Sequence, residues 1–144
     1  MSHIHNIARG LCVKDGAVLL AWHKVQEYYF LPGGHVEIGE SSATALVREF
    51  MEELGITVTC GDFLVLFEHA WKNGDSTQQE LTSVFLVDGV DPDAQVQSQI
   101  EHLEFKWVPL SELSAVKFLP SELKETIVGA AAGRPTPRFL STMH

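Results

Sequence analysis

The chain has 144 residues, 45% hydrophobic and 20% charged, with a formal net charge of -9; this suits one globular domain with a real core. The acidic balance argues against a sequence-independent grip on a nucleic-acid backbone, which needs a basic surface. It does not exclude a phosphate-bearing substrate, because a divalent metal held by acids reverses the local sign. No apolar run approaches the roughly 20 residues that span a bilayer. The opening MSHIHNIARG lacks the basic-then-apolar layout of a secretory leader, so a cytoplasmic location away from membranes is expected. Cys12 and Cys60 lie in strand-like stretches without metal-ligand spacing and read as two buried thiols.

In chain order, LCVKDGAVLLAW reads as two strands around Asp15-Gly16, a favoured hairpin turn pair. Tyr28 to Leu31 forms a short aromatic strand that stops at Pro32-Gly33-Gly34. A helix follows Glu40: Ser41 and Ser42 can cap it, and Gly55 ends it. A brief β-branched strand covers Ile56 to Cys60. Phe63 to Ala70 and Leu81 to Val87 are apolar strands, with Asn73-Gly74 as the turn between them. Phe105 to Val108 is another strand. A short helix follows Ser111, and a longer one runs from near Ser121 toward Gly133. The segment 134–144, with two prolines, is expected to wrap or fray as a tail.

The helix after Glu40 carries the chemistry. At about 100° per residue, Ala43, Leu46, Val47, Phe50 and Leu54 fall on one side. Glu49, Glu52 and Glu53 fall on the other, within an arc of about 100°. Glutamates on a helix are ordinarily a solvated face. Two details point away from that here. Arg48 is the helix's sole local cation, no lysine at four-residue spacing answers these acids, and like charges so spaced are mildly destabilising. The preceding Pro32-Gly33-Gly34 turn also lets backbone carbonyls approach whatever the acids bind. Oxygen-only ligands favour hard cations such as Mg²⁺ or Mn²⁺, and magnesium is typically held by a few carboxylates together with substrate phosphates.

The stretch GHVEIGESSATALVREFMEELGI resembles the signature of the Nudix hydrolases. Gly34, Glu40, Arg48, Glu49, Phe50, Glu52, Glu53, Gly55 and Ile56 fill every fixed place, with Phe50 where an aliphatic residue is more usual. The resemblance implies an α/β/α sandwich with a mixed β-sheet, in which the signature forms a loop-helix-loop. It also implies metal-dependent hydrolysis of a nucleoside diphosphate linked to another group. Carried over, Glu52 and Glu53 are metal ligands, Glu49 is a ligand or the general base, and Arg48 holds a glutamate in place. The carbonyl of Gly33 joins the metal shell, and Glu40 orients Arg48. The ion is Mg²⁺, with Mn²⁺ as a substitute. SQIEHLEFKWVPLSEL resembles the later acidic loop before a Trp-containing strand; its Glu101, or second Glu104, adds a metal contact or acts as the base. LFEHAWKNGDSTQQELTSVFLV looks like the hairpin region of members that act on ADP-ribose and related nucleotide-sugars, which slightly favours that substrate over nucleoside triphosphates or oxidised nucleotides. Family members are often homodimers.

The remaining candidates rest on residue type. Arg9, on the first strand, meets a substrate phosphate or is a strand-edge charge. Trp22, Tyr28 and Phe30 stack on a base or belong to the core. The histidines show no zinc spacing, and His3 and His5 read as surface residues. Three functions remain to be weighed. The first is a pyrophosphohydrolase. The second is a silent nucleotide-binding module, which ordinarily shows a broken Arg-Glu or Glu-Glu pair; here neither is broken. The third is an RNA-cap hydrolase, which fits poorly with the acidic charge.

Overall fold

Residues Val18, Leu19 and Leu20 are all fully buried, yet they belong to two different cores. Successive strand residues point to opposite faces, so a β-layer covered on both sides is required. The computed structural model, which describes residues 1–91, 93 and 96–143, has that architecture. The elements are β1 (His3–Leu11), β2 (Val13–Lys14), β3 (Ala17–His23), β4 (Tyr28–Phe30), β5 (Gly33–His35), α1 (Ser42–Leu54), β6 (Thr59–Asn73), β7 (Ser76–Asp88) and β8 (Leu103–Pro109). A 3-10 turn (Leu110–Ala115), α2 (Leu123–Ala131) and β9 (Phe139–Ser141) complete the chain.

One sheet has the order β5-β1-β7-β6-β9. It is mixed: β1 pairs parallel with β7, and β6 with β9, while β1–β5 and β6–β7 are antiparallel. In the second, antiparallel sheet β3 is flanked by β8 on one edge and by β2 and β4 on the other. Leu46, Phe50 and Leu54 of α1 pack with Ala8, Cys12, Leu19 and Val87 on one face. Leu113, Leu123 and Ile127 pack with Leu11, Val18, Leu20, Val65 and Phe67 on the other. The result is the expected α/β/α sandwich with a mixed sheet.

Several expectations change in detail. Gly33 and Gly34, read as part of the Pro32-Gly33-Gly34 stop, form with His35 a strand of their own on β1. Of the strand expected at Ile56–Cys60 only Thr59 and Cys60 are extended, Ile56 to Val58 being loop, and they begin one long β6 that takes in Phe63–Ala70, with register shifts between Cys60 and Val65; such a bulge lets an extra residue pass without ending the pairing. The tail does not fray up to Met143: Leu140 packs on the core, and β9 pairs along the otherwise open edge of β6. His144 lies outside the described residues. Cys12 is buried, but Cys60 is only partly so.

The most consequential change concerns α1. Ala43 is exposed, and the buried positions are Ala45, Leu46, Phe50 and Leu54. An arc that includes Ala45 passes through Glu49 and Glu53 at about 100° per residue. The acids therefore flank the core and do not oppose it, because β5, absent from the sequence reading, covers that side of the helix.

Candidate active site

Helix α1 is held at both ends. Ser41 caps it, its Oγ accepting from the Thr44 N–H at 3.1 Å; such a cap contributes about 1 kcal/mol. Gly55 closes it with φ 70°, its N–H donating to the Met51 carbonyl at 3.0 Å. The acids thus project from a fixed rod.

The two glycines of β5 let the strand approach β1 at Gly33 and the helix at Gly34. At Gly33 (φ 141°) a Cβ would lie 2.0 Å from the Ala8 carbonyl oxygen. At Gly34 a Cβ would meet the Glu49 carboxyl carbon at 2.5 Å. Only glycine places Glu49 directly against the strand backbone. The Gly33 N–H faces Glu53 Oε2 at 3.4 Å.

Arg48 gathers most of the remaining charge. Its Nε and Nη2 donate to the two oxygens of Glu40 at 2.8 and 2.9 Å, a fork-on-fork pair. Nη2 also donates to the His35 carbonyl at 3.0 Å. Nη1 reaches Glu49 at 3.1 Å and Glu52 at 3.2 Å. The Arg48 hydrogen bonds hold the Glu40 carboxyl down at about 2, and the Glu37 N–H adds to this. Glu40, chiefly, raises the Arg48 pKa in return.

Glu53 is different. Burial pushes its carboxyl up to about 7; Glu49 and Glu52 push the same way, against the opposing pull of Arg9 and the Gly33 N–H. Arg9 is half-buried, and this desolvation lowers its pKa against the attraction of Glu53, Glu80 and Glu49. It is not an edge charge, since β1 is paired on both sides. Its Nη1 donates to the Gly33 carbonyl at 2.9 Å, and its guanidinium lies 5.2 Å from the centre of the Phe30 ring. The acids are therefore answered by Arg48 from the helix itself and by Arg9 from strand β1.

The donors at this junction are all oxygens: Glu49, Glu52, Glu53 and the Gly33 carbonyl. Among the described residues no three His, Cys, Asp or Glu side chains converge as a ready-made metal cage. Arg48 and Arg9 already bind several of those oxygens. The donor set fits a hard divalent cation, which would exchange with these guanidinium contacts and relieve the burial of a charged Glu53.

Beside this cluster lies a cavity of about 700 Å³. Arg9, Tyr28 and Phe30 line one side of it, His69 and Trp71 another, and Glu80 and Thr82 of β7 lie between. Phe118 to Leu123 close the far end. Phe30 and Arg9 are thus brought together on one wall. Trp22 is not: it lies on the other face of the β3–β4 ribbon, against Tyr29 at 4.6 Å between ring centres, and is absent from the cavity wall. Glu104 shares that ribbon face and pairs with Lys24 and Lys106. Glu101 is exposed on a turn; two residues earlier the Gln99 N–H donates to the Glu53 carbonyl at 2.7 Å, tying this loop to the last turn of α1. His69, Trp71, Glu80 and Thr82 escaped the sequence reading. The available signal was a charged Glu80 and a polar Thr82 in period-2 phase with the buried Val84.

A carboxylate-bearing helix lies beside a glycine strand and next to an aromatic cavity, with a half-buried arginine between them, and this arrangement sits within one protein family. The chain belongs to the Nudix hydrolases, whose NUDIX domain model matches residues 4–127. It is 34% identical over 143 aligned residues to a putative 8-oxo-dGTP diphosphatase 2 of Mycobacterium tuberculosis, covering 88% of this chain and 92% of that one. It is also 37% identical over 102 residues to an octanoyltransferase of Myxococcus xanthus, of whose length the match spans only 27%. The crystal structure of a MutT protein from Methanosarcina mazei Go1 superposes with a TM-score of 0.73 at 24% identity, covering 92% and 96% of the two chains; this likeness concerns the fold.

Proposed function

We propose that this protein hydrolyses a phosphoanhydride bond of a nucleoside phosphate with Mg²⁺, or Mn²⁺ in its place, held by Glu52, Glu53, Glu49 and the Gly33 carbonyl. The observation that carries this reading is the position of Arg9. It touches the Gly33 carbonyl and Phe30 while its charge is felt by Glu53 and Glu80, so it stands at the junction of acid cluster and cavity. A nucleoside in the cavity directs its phosphate chain past Arg9 onto the acids. When bound, the cation supplies the charge that polarises the phosphoryl oxygens and makes a water more acidic.

The protein's own groups do the rest. Arg9 takes part of the phosphate charge, and Phe30 shields that pair from water. Arg48 fixes the directions of Glu49 and Glu52. Glu49, held on a rigid helix against Gly34, accepts the proton of the attacking water, while Glu101 on its exposed turn is the second candidate for this role. A nucleoside triphosphate is the favoured substrate class. It matches one cavity of nucleoside size, and the Mycobacterium relative, which aligns over most of both chains, is named for such a substrate. The resemblance of the β6–β7 hairpin to members acting on ADP-ribose supports the second reading.

The test is phosphate or pyrophosphate release from nucleoside triphosphates, ADP-ribose, nucleotide-sugars and dinucleoside polyphosphates, with Mg²⁺, with Mn²⁺ and with chelator. Turnover is expected with either ion and not in EDTA. Undiminished turnover by protein shown to be free of metal would overturn the reading.

A further inference from the structure

Glu80 is an unusual occupant of its surroundings. It lies on the inward face of β7, directly across from His69 of β6, in a cavity whose other walls are Tyr28, Phe30, Trp71 and Phe118. Its Oε2 sits 3.4 Å from His69 Nε2, and its side chain is only 22% exposed. Charged side chains are rarely placed among aromatic rings without a partner that uses them. A carboxylate offers about four lone-pair sites on two oxygens. His69 Nε2 is its close side-chain neighbour among the described residues, which leaves acceptor capacity facing the cavity.

We infer that Glu80, oriented by His69, is the residue that selects the base, and that it selects one presenting two adjacent N–H donors, the 2-amino-6-oxo edge of a guanine-type ring. This rests on the nucleoside reading of the cavity given above. The aromatic walls accept any flat ring, because every base has a π-face, so the walls alone do not discriminate. Glu80 does. The guanine edge carries N1–H beside an exocyclic N2–H₂, and both can donate to one carboxylate in parallel. Adenine and cytosine place a ring-nitrogen acceptor beside their amino group, which brings a lone pair against a carboxylate oxygen. Uracil and thymine offer one N–H between two carbonyls. A site built to accept hydrogen bonds discriminates strongly, because a wrong partner leaves buried polar groups unpaired.

Glu80 has a second conceivable role, as counter-charge to the half-buried Arg9, whose guanidinium feels it. The two roles separate cleanly. Loss of a counter-charge to a phosphate-facing arginine alters all nucleotides alike. Loss of a base reader alters the ratio between them.

The experiment compares kcat/KM for GTP, ITP and ATP with Mg²⁺ in the wild type and in Glu80→Gln, and in parallel the affinities for GMP, IMP and AMP by calorimetry. For the wild type, GTP should exceed both ITP, which lacks only the 2-amino group, and ATP by about 10–100-fold, the worth of one charge-assisted hydrogen bond. Glu80→Gln replaces one acceptor by a donor and so matches the adenine pattern of donor beside acceptor. It should lower the GTP-to-ATP ratio by about 10-fold or more. Equal wild-type use of GTP and ITP overturns the proposal and needs no variant. An unchanged ratio in folded Glu80→Gln, with all nucleotides reduced together, also overturns it and assigns Glu80 to Arg9. If no nucleotide is hydrolysed, the hydrolase reading fails and the monophosphate affinities decide on the base: GMP over IMP and AMP supports the proposal, and equal affinities overturn it.

Discussion

Glu53→Gln should remove a pH dependence of stability that the metal-free wild type carries. Burial raises the Glu53 carboxyl from an ordinary 4.5 to about 7. Between those pH values the folded protein keeps a proton that the unfolded chain has released. Stability from this group is fully present below about 4.5 and is lost as pH rises through about 7. At 1.36 kcal/mol per pKa unit the loss is at most roughly 3 kcal/mol. For 144 residues, at about 2.1 cal/mol/K per residue, that is on the order of 10 °C in Tm. The assay is calorimetric Tm in EDTA from pH 4.5 to 8. The scan starts there because Glu40, held at about 2 by Arg48, loses its contribution in the opposite direction, as pH falls below 4.5. The wild type should lose Tm relative to Glu53→Gln across this window, and added Mg²⁺ at pH 7.5 should raise the Tm of the wild type alone. Parallel Tm curves for the two proteins would refute the half-buried, proton-holding Glu53.

Two further substitutions test the assignment of roles. Arg48→Ala leaves Glu40, Glu49 and Glu52 without their shared guanidinium; kcat should fall about 10²-fold in a folded protein, through misplaced carboxylates, and full turnover would show that Arg48 orients nothing. Glu49→Gln, compared with Glu101→Gln, should show the larger fall in kcat, of about 10²–10³-fold, with little change in metal affinity and a flattened acid limb of the pH–rate profile. The reverse ranking, undiminished at high Mn²⁺, would move the base to the loop.

The sequence reveals α1 and its chemistry clearly because the information there is local. Ser41, Gly55 and the spacing of Arg48, Glu49, Glu52 and Glu53 all act within one helix. The orientation of that helix is not local. Ala43 and Ala45 are both compatible with a helical period, and which is buried depends on β5, a strand of three residues formed by two glycines and a histidine with no strand-like composition. The cavity is less legible still. Its walls come from β1, β4, β6 and β7, and Glu80 meets His69 only because an antiparallel register places them opposite each other. Trp22 illustrates the same limit: alternation puts it and Phe30 on opposite ribbon faces, and the sequence alone does not say which face the cavity occupies.

Strand β5 is also the end of its sheet, and the outermost strand of a sheet is ordinarily a template on which another chain can add. Here the residues of the site occupy its main chain. The Gly33 N–H faces Glu53, the Gly33 carbonyl accepts from Arg9, and the His35 carbonyl accepts from Arg48. Three side chains of the proposed site therefore also close off a boundary on which another chain could add. If the proposed site is right, guarding this edge and catalysing the reaction fall to the same few residues, and variants that weaken the cluster are expected to lose solubility together with activity.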